Sequence, residues 1–460
     1  MAAALVWMAL VRWCALLSLG ALIGALVLET VVLPPGEREL VRVQRRLRVW
    51  SRAAAIVLLL ATAGELVGRA QTMSGGGLAA AIGAAPLVLM RTHFGTIWML
   101  RAVALVLVLF LSWSGSRGAR VSSLCLASGV ALTTALIGHA ADWGDLTVSV
   151  AVDWVHVMAA AAWTGGLPGL AIVALRERHA WLPALLATVV RRFSRLAGLC
   201  LFAVVLSGLY NAWVQIRSLP AVWTTPYGRV LLAKIAVFLV LAAIGAVNRH
   251  AIVPYLGSGR RPRGLVTRSV RLTRLALVGP RRASSPFGLA ARLTRYVGAE
   301  AILALVVFGC TAVLGESTPG RHAGRHGRGQ ERRGPIHTTM EQLHESGGVP
   351  SGWSFAAPAG DEDRGRDVFT KLECFACHRV DGAAFPPPSR PGPDLTTVGA
   401  HHPTGYLVES IMNPNAVIVD GPGYTGPDGR SIMPDYRDSL TIADLIDLVA
   451  YLESLTGNHN

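Results

Sequence analysis

The residues with the clearest chemistry are Cys374-Phe375-Ala376-Cys377-His378. Two thiols separated by two residues, with a histidine directly after them, form the c-type haem attachment pattern: the thiols add to the haem vinyl groups and the imidazole ligates the iron. A redox dithiol or half of a zinc site would also place two cysteines this close. The adjacent histidine and the lack of another cysteine in this part of the chain favour haem. One covalent haem c is therefore expected, and it needs a sixth ligand from the far side. Met412 and Met433 are the methionines available, with His401 and His402 as alternative donors. Met412 ends a helical stretch, Pro403–Met412, and shares an apolar face with Leu407 and Ile411, whereas Met433 precedes Pro434 in a loop just before the final helix. Met433 is the expected ligand. Methionine with histidine raises the haem potential, which suits single-electron transfer.

A second group of donors lies in apolar surroundings: His93, His139, His156 and Glu316, with Asp142, Asp145 and Asp153 nearby in sequence. Ionisable groups in membrane spans are costly and point to function. Met99 and Met158 add thioethers, and imidazole with thioether suits copper, particularly Cu(I). The alternative is that each histidine is a hydrogen-bonded interfacial residue. Cys14, Cys125, Cys200 and Cys310 fall singly in apolar segments and read as small packing residues.

The chain that positions these groups has 460 residues, is 52% hydrophobic and 15% charged, and carries a formal net charge of +15. Its mean hydropathy is +0.45. Eight segments are long and apolar enough to cross a bilayer: 5–33, 51–71, 95–114, 121–140, 148–175, 196–215, 229–248 and 296–314. The first lacks a leading charge and a small-residue cleavage site, so it is expected to stay as a span. Arginines crowd the connections after spans one, three, five and seven. The alternate connections are poor in positive charge, which puts the N-terminus outside and the arginines in the cytoplasm. An even number of spans then puts the C-terminal part outside too. From Asp361 onward the chain is acidic on balance. The basic character thus reports topology, and no nucleic-acid partner is expected.

Two sequence matches point to an internal duplication. Thr92-x-x-Gly95 with Arg101 parallels Thr225-x-x-Gly228 with Lys234, and Thr134-Ala-Leu-Ile-Gly138 parallels Thr311-Ala-Val-Leu-Gly315. An offset of four spans makes the copies two parallel four-helix halves. Residues 319–360, rich in Gly, Arg and His, read as a flexible linker.

Gly138-His139-Ala140, Asp153-Trp154-Val155-His156 and Trp163-Thr164-Gly165-Gly166-Leu167 resemble the copper-resistance protein D family of bacterial inner membranes. Phe193-Ser194-Arg195, Ser207-Gly208, Tyr227-Gly228 with Lys234, and Glu300 extend that resemblance over residues 1–320. It implies an eight-span membrane protein that moves copper from periplasm to cytoplasm, with His139 and His156 as the natural copper ligands. Residues 361–457 resemble a small class I cytochrome c. That resemblance implies that Gly365 and Phe369 pack the first helix against the last, with Tyr451 as aromatic partner. It also implies that the Pro393 carbonyl in Gly392-Pro393-Asp394-Leu395 fixes the His378 imidazole, and that Met433 supplies the axial sulfur.

The expected fold is all-α: an eight-helix transmembrane domain over 1–318, a linker over 319–360 and a monohaem cytochrome c domain over 361–460. The expected function is copper handling in the bacterial inner membrane with a tethered electron carrier. Its partners would be the lipid bilayer, copper ions or a periplasmic copper carrier, and a periplasmic redox protein. The competing function is a respiratory subunit passing electrons from a quinol or b-type haem to the c-type haem. No hydrolase triad, P-loop or dinucleotide fingerprint is present, so a transporter or electron carrier is expected over a turnover enzyme.

Overall fold

The computed structural model describes residues 2–74, 77–141, 145–174, 181, 183–216, 219–255, 286–315, 336–338, 359–421, 423–427, 429–437 and 439–457. Among the described residues the chain is all-α apart from one pair of three-residue strands. The long helices are α1 (Ala2–Val27), α2 (Val41–Ser74), α3 (Leu78–Arg91), α4 (His93–Leu111), α5 (Arg117–Ile137), α6 (Val148–Thr164), α7 (Pro183–Ile216), α8 (Pro226–Val247) and α9 (Pro286–Gly315).

Among the described residues, seven helices are long and apolar enough to cross a membrane. The expected fifth span is the exception. It forms as the 17-residue α6, then the turn Gly166–Pro168 and the π-helical segment Gly169–Ala174. A π-helical turn also ends α1, at Leu28–Val32, and α8, at Asn248–Ile252. Two further departures concern the connections. The stretch between spans two and three, read from sequence as a loop, is the apolar helix α3. The arginines Arg42, Arg45, Arg46 and Arg48 lie on the first turns of α2, which starts well before the apolar run.

The chain divides into two compact units. The first comprises Met1–Thr62, Arg101–Ala135 and Val148–His326. Its centre is α1: 78% of the apolar window of this span is buried, against 6% for Pro226–His250. Leu22 and Ile23 are fully enclosed. On α7, Leu199, Phe202, Leu206, Leu209 and Trp213 recur at three- and four-residue spacing and are all exposed. A continuous bare apolar stripe of this kind is stable against lipid and not against water.

Close backbone approach sets the crossing of α1 with the end of α6. A Cβ on Gly165 would lie 1.9 Å from the Gly20 carbonyl oxygen, and one on Gly24 would lie 2.2 Å from the Gly165 carbonyl carbon. Only glycine permits this approach.

Several polar side chains inside this unit face a partner. Asn248 Nδ2 donates to Glu300 Oε1 at 2.8 Å, and both residues are buried. Glu29, also buried, faces Arg120 Nη1 at 3.5 Å and Arg48 Nε at 3.9 Å. Replacing Asn248 with leucine strands the Glu300 carboxyl, at a cost of about 1–3 kcal/mol. The thermal midpoint of the detergent-solubilised variant should fall measurably, and an unchanged midpoint would contradict the pairing.

The repeated threonines perform one local task. Thr92 Oγ1 accepts from Gly95 N, and Thr225 Oγ1 accepts from Gly228 N, each at 3.0 Å, at the start of α4 and α8. This satisfies a backbone donor that the first helical turn leaves open. Six residues after Gly95, Arg101 is buried and its Nε donates to Thr133 Oγ1 at 2.8 Å.

The second unit comprises Ala63–Leu100, Leu136–Thr147 and Gly327–Asn460. Its C-terminal part contains α10 (Glu362–Lys371), α11 (Thr404–Met412) and α12 (Ile442–Ser454). Asp361 caps α10, and Thr441 with Asp444 forms a capping box at the start of α12. The two helices cross where Gly365 meets Asp447: a Cβ there would lie 2.0 Å from the Asp447 carbonyl oxygen. Phe369 is buried, and its ring centroid lies 5.5 Å from that of Tyr451. Asp447 Oδ1 accepts from Asp361 N at 2.9 Å and so ties the start of α10 to the middle of α12.

The linker is not wholly irregular. Ile336–Thr338 forms β1, which pairs in parallel with β2 (Val417–Val419) in the register Ile336↔Val417.

Candidate haem centre and intramembrane histidine site

The haem-attachment residues follow α10 on a tight turn. Glu373 takes the left-handed conformation, with φ 55°, and reverses the chain into Cys374–Ala376. The amides of Cys377 and His378 then both donate to the Cys374 carbonyl, at 3.2 and 3.0 Å. Cys374 and Cys377 are free thiols. Burial and the neighbouring Cys377 push the Cys374 thiol up to about 12, so it is protonated near neutral pH.

The imidazole is held by one bond. His378 Nδ1 donates to the Pro393 carbonyl at 2.9 Å, which leaves Nε2 as the lone-pair nitrogen. Burial lowers the basicity of His378, and the Pro393 bond opposes that shift only in part. A neutral ring is the form a metal needs. Gly392 makes the arrangement feasible, because a Cβ there would lie 2.5 Å from the Cys377 carbonyl oxygen.

Met433 sits half-buried in the loop before α12 and packs against the core of this unit, with its amide bonded to Ser431 Oγ at 3.2 Å. Leu407 and Ile411 are buried on α11, while the Met412 carbonyl accepts from Arg437 Nε at 3.1 Å. Tyr436 is buried, and its hydroxyl is pushed up by burial and by the two thiols. Two reduced thiols, a neutral imidazole with one committed nitrogen and a glycine cleared for close approach fit a covalently held haem.

The intramembrane donors divide between the two units. In the first, His156 on α6 meets Ser207 on α7, with Nδ1 to Oγ at 3.0 Å. Ser207 Oγ donates to the Ala203 carbonyl at 2.5 Å, so it accepts from His156 Nδ1–H and Nε2 carries the lone pair. Gly208 makes room for the ring: a Cβ there would lie 3.3 Å from His156 Cε1. One turn earlier Asp153 Oδ1 accepts from Asn211 Nδ2 at 2.8 Å, and Ser149 pairs with Tyr210 at 3.2 Å. The result is a polar seam along the α6–α7 contact. Asn211 and Tyr210 were not singled out from the sequence. Their four- and three-residue offsets from Ser207 were the available signal.

In the second unit, His93 Nε2 lies 2.9 Å from both carboxylate oxygens of Asp145. The His139 backbone opens the short turn His139–Ala141. Its side chain and the whole of Glu316 lie outside the described residues. Met158 packs against the core of the first unit, and Met99 is exposed. Among the described residues there is no group of three or more His, Cys, Asp or Glu side chains able to hold a metal ion.

An all-α body with a bare apolar stripe and a half-buried polar seam, continued by a haem-attachment fold, defines a multi-pass membrane protein bearing a cytochrome c. The family follows from the sequence comparisons. Residues 1–148 match the copper resistance protein D-like N-terminal domain and residues 187–314 match copper resistance protein D. Residues 362–456 match cytochrome c. The chain therefore joins a membrane region of the copper resistance protein D family to a C-terminal cytochrome c domain.

Similar curated proteins include the copper transport protein CutJ of Bacillus subtilis (strain 168), 31% identical over 46% of this chain and 40% of that protein. The inner membrane protein YebZ of Escherichia coli (strain K12) is 29% identical over 47% of this chain and 72% of its own length. Copper resistance protein D of Pseudomonas syringae pv. tomato is 28% identical over 44% and 68%. The chain thus spans well under half of CutJ and about 70% of the other two. No solved structure matches the chain significantly.

Proposed function

We propose that the protein handles copper in the bacterial inner membrane as a transporter, and that its haem exchanges single electrons with the copper it handles. In this reading all eight apolar segments span the bilayer, with the broken α6 tract as the fifth. The N-terminus and the cytochrome c domain are periplasmic. Cys374 and Cys377 hold the haem covalently, and His378 and Met433 ligate its iron. His156 receives the copper ion through Nε2, and His93, His139 and Glu316 serve as further donors on the periplasmic side.

The observation that carries this reading is the state of His156. It is an imidazole of defined tautomer, set among apolar helices with one nitrogen spent on Ser207 and the other left as a donor. The respiratory alternative needs two histidines facing each other at one depth around a b-type haem, and His139 follows the end of α5 rather than lying within it.

The test is copper accumulation in cells expressing the full chain. His156→Gln should lower accumulation about tenfold or more, as loss of a metal ligand or its support generally does. Accumulation equal to the unaltered protein, at matched expression, would overturn the assignment. A b-type band in a reduced-minus-oxidised spectrum would overturn it as well.

A further inference from the structure

The second unit contains an interface that neither the family nor the haem motif assigns. The loop Ser431–Tyr436, which carries Met433, reaches the C-terminal end of α2. Asp435 N donates to the Met73 carbonyl at 3.2 Å, and Ser439 Oγ lies 3.8 Å from Met73 Sδ. Met73 is the penultimate residue of α2, so its carbonyl is one of the four that a helix C-terminus leaves without an internal partner. The cytochrome loop supplies the missing donor.

The contact is also apolar. Ala70, Met73, Ala81, Val88 and Phe94 of α2, α3 and α4 are buried in one cluster with Phe369, Leu448 and Tyr436 of the haem domain. Met73 is only 2% exposed. The loop presents a fixed face, because Ser431 N is held by Asn415 Oδ1 at 3.2 Å and Tyr436 N by the Ile411 carbonyl at 3.4 Å.

We propose that the haem domain docks on its own membrane helices, with the Met433 loop seated on the end of α2 and Met73 as the socket. The occupant is this chain's own cytochrome c domain. The docking stands on these contacts alone. Its consequence, that electrons leave or enter the haem beside the start of α4, which carries His93 and its partner Asp145, rests on the function proposed above.

Two measurements test the docking without reference to copper. In the full chain, with Cys14, Cys125, Cys200 and Cys310 replaced by alanine and a protease site placed within 340–355, a Met73→Cys, Ser439→Cys pair is treated with a short bis-maleimide and then cleaved. Most haem-stained protein should keep the mass of the intact chain. A Met73→Cys, Glu362→Cys pair should yield several-fold less. Equal yields from the two pairs would overturn the proposal. Separately, Met73→Glu should raise hydrogen exchange across 431–441 at least tenfold while the c-type absorption spectrum stays intact. Exchange equal to that of the unaltered chain would overturn the proposal.

Discussion

Replacing both Cys374 and Cys377 with alanine is expected to abolish covalent haem in this protein. The two thiols are the ones available after residue 310, and they flank a single turn whose amides converge on the Cys374 carbonyl. No other cysteine lies in the C-terminal part of the sequence. A denaturing gel stained for haem peroxidase activity should show a full-length band for the unaltered chain and none for the double variant. Each single variant keeps one thioether and should show a weakened band. His378→Ala is the informative companion: it leaves both attachment points but removes the imidazole that Pro393 orients. It should keep the stained band while losing the spectrum of six-coordinate iron. A stained band in the double variant would mean that the haem is attached elsewhere.

The second large effect is expected at Gly165. A leucine there must place its Cβ within 1.9 Å of the Gly20 carbonyl oxygen, and backbone cannot yield as a flexible side chain would. Overpacking by one or two methylenes ordinarily costs about 1–3 kcal/mol. Here α1 must separate from α6, and α1 is the helix on which the first unit is centred. Gly165→Leu should therefore leave little monodisperse protein after detergent extraction, and Gly165→Ala should lower the thermal midpoint. Gly129→Ala is the control, since a Cβ at Gly129 meets nothing within 4 Å. A Gly165→Leu protein that melts like the unaltered chain would show that the close approach does not hold the helices.

Much of the haem centre was legible in the sequence because its signals are local. Cys374, Cys377 and His378 are neighbours. The His378 bond to Pro393 and the crossing of Gly365 and Phe369 with α12 both followed from the resemblance to cytochrome c, and both bonds and crossings are present. Apolar length located seven of the long helices because hydrocarbon thickness imposes it.

Three features were hidden for physical reasons. α3 is too short to read as a span and too apolar to look like anything but loop filling between spans. The β1–β2 pair joins residues some 80 apart in sequence through three backbone positions, and backbone pairing writes no side-chain code. The seam partners of α6 are ordinary polar residues, Ser207, Tyr210 and Asn211, whose meaning appears only when α7 is laid against it.

The π-helical turns ending α1, the α6 tract and α8 bear on how this chain can change in length. A π turn closes its bonds one residue later than an α turn, so each holds one residue more than the helix around it requires. Loss of a residue inside Leu28–Val32, Gly169–Ala174 or Asn248–Ile252 can be absorbed on the spot by return to α geometry. Loss of a residue in the middle of α7 would instead swing everything beyond it by about 100° around the helix axis and carry Ser207 away from His156. The three turns are thus expansion joints, where loss of one residue leaves the faces that carry the polar seam in place.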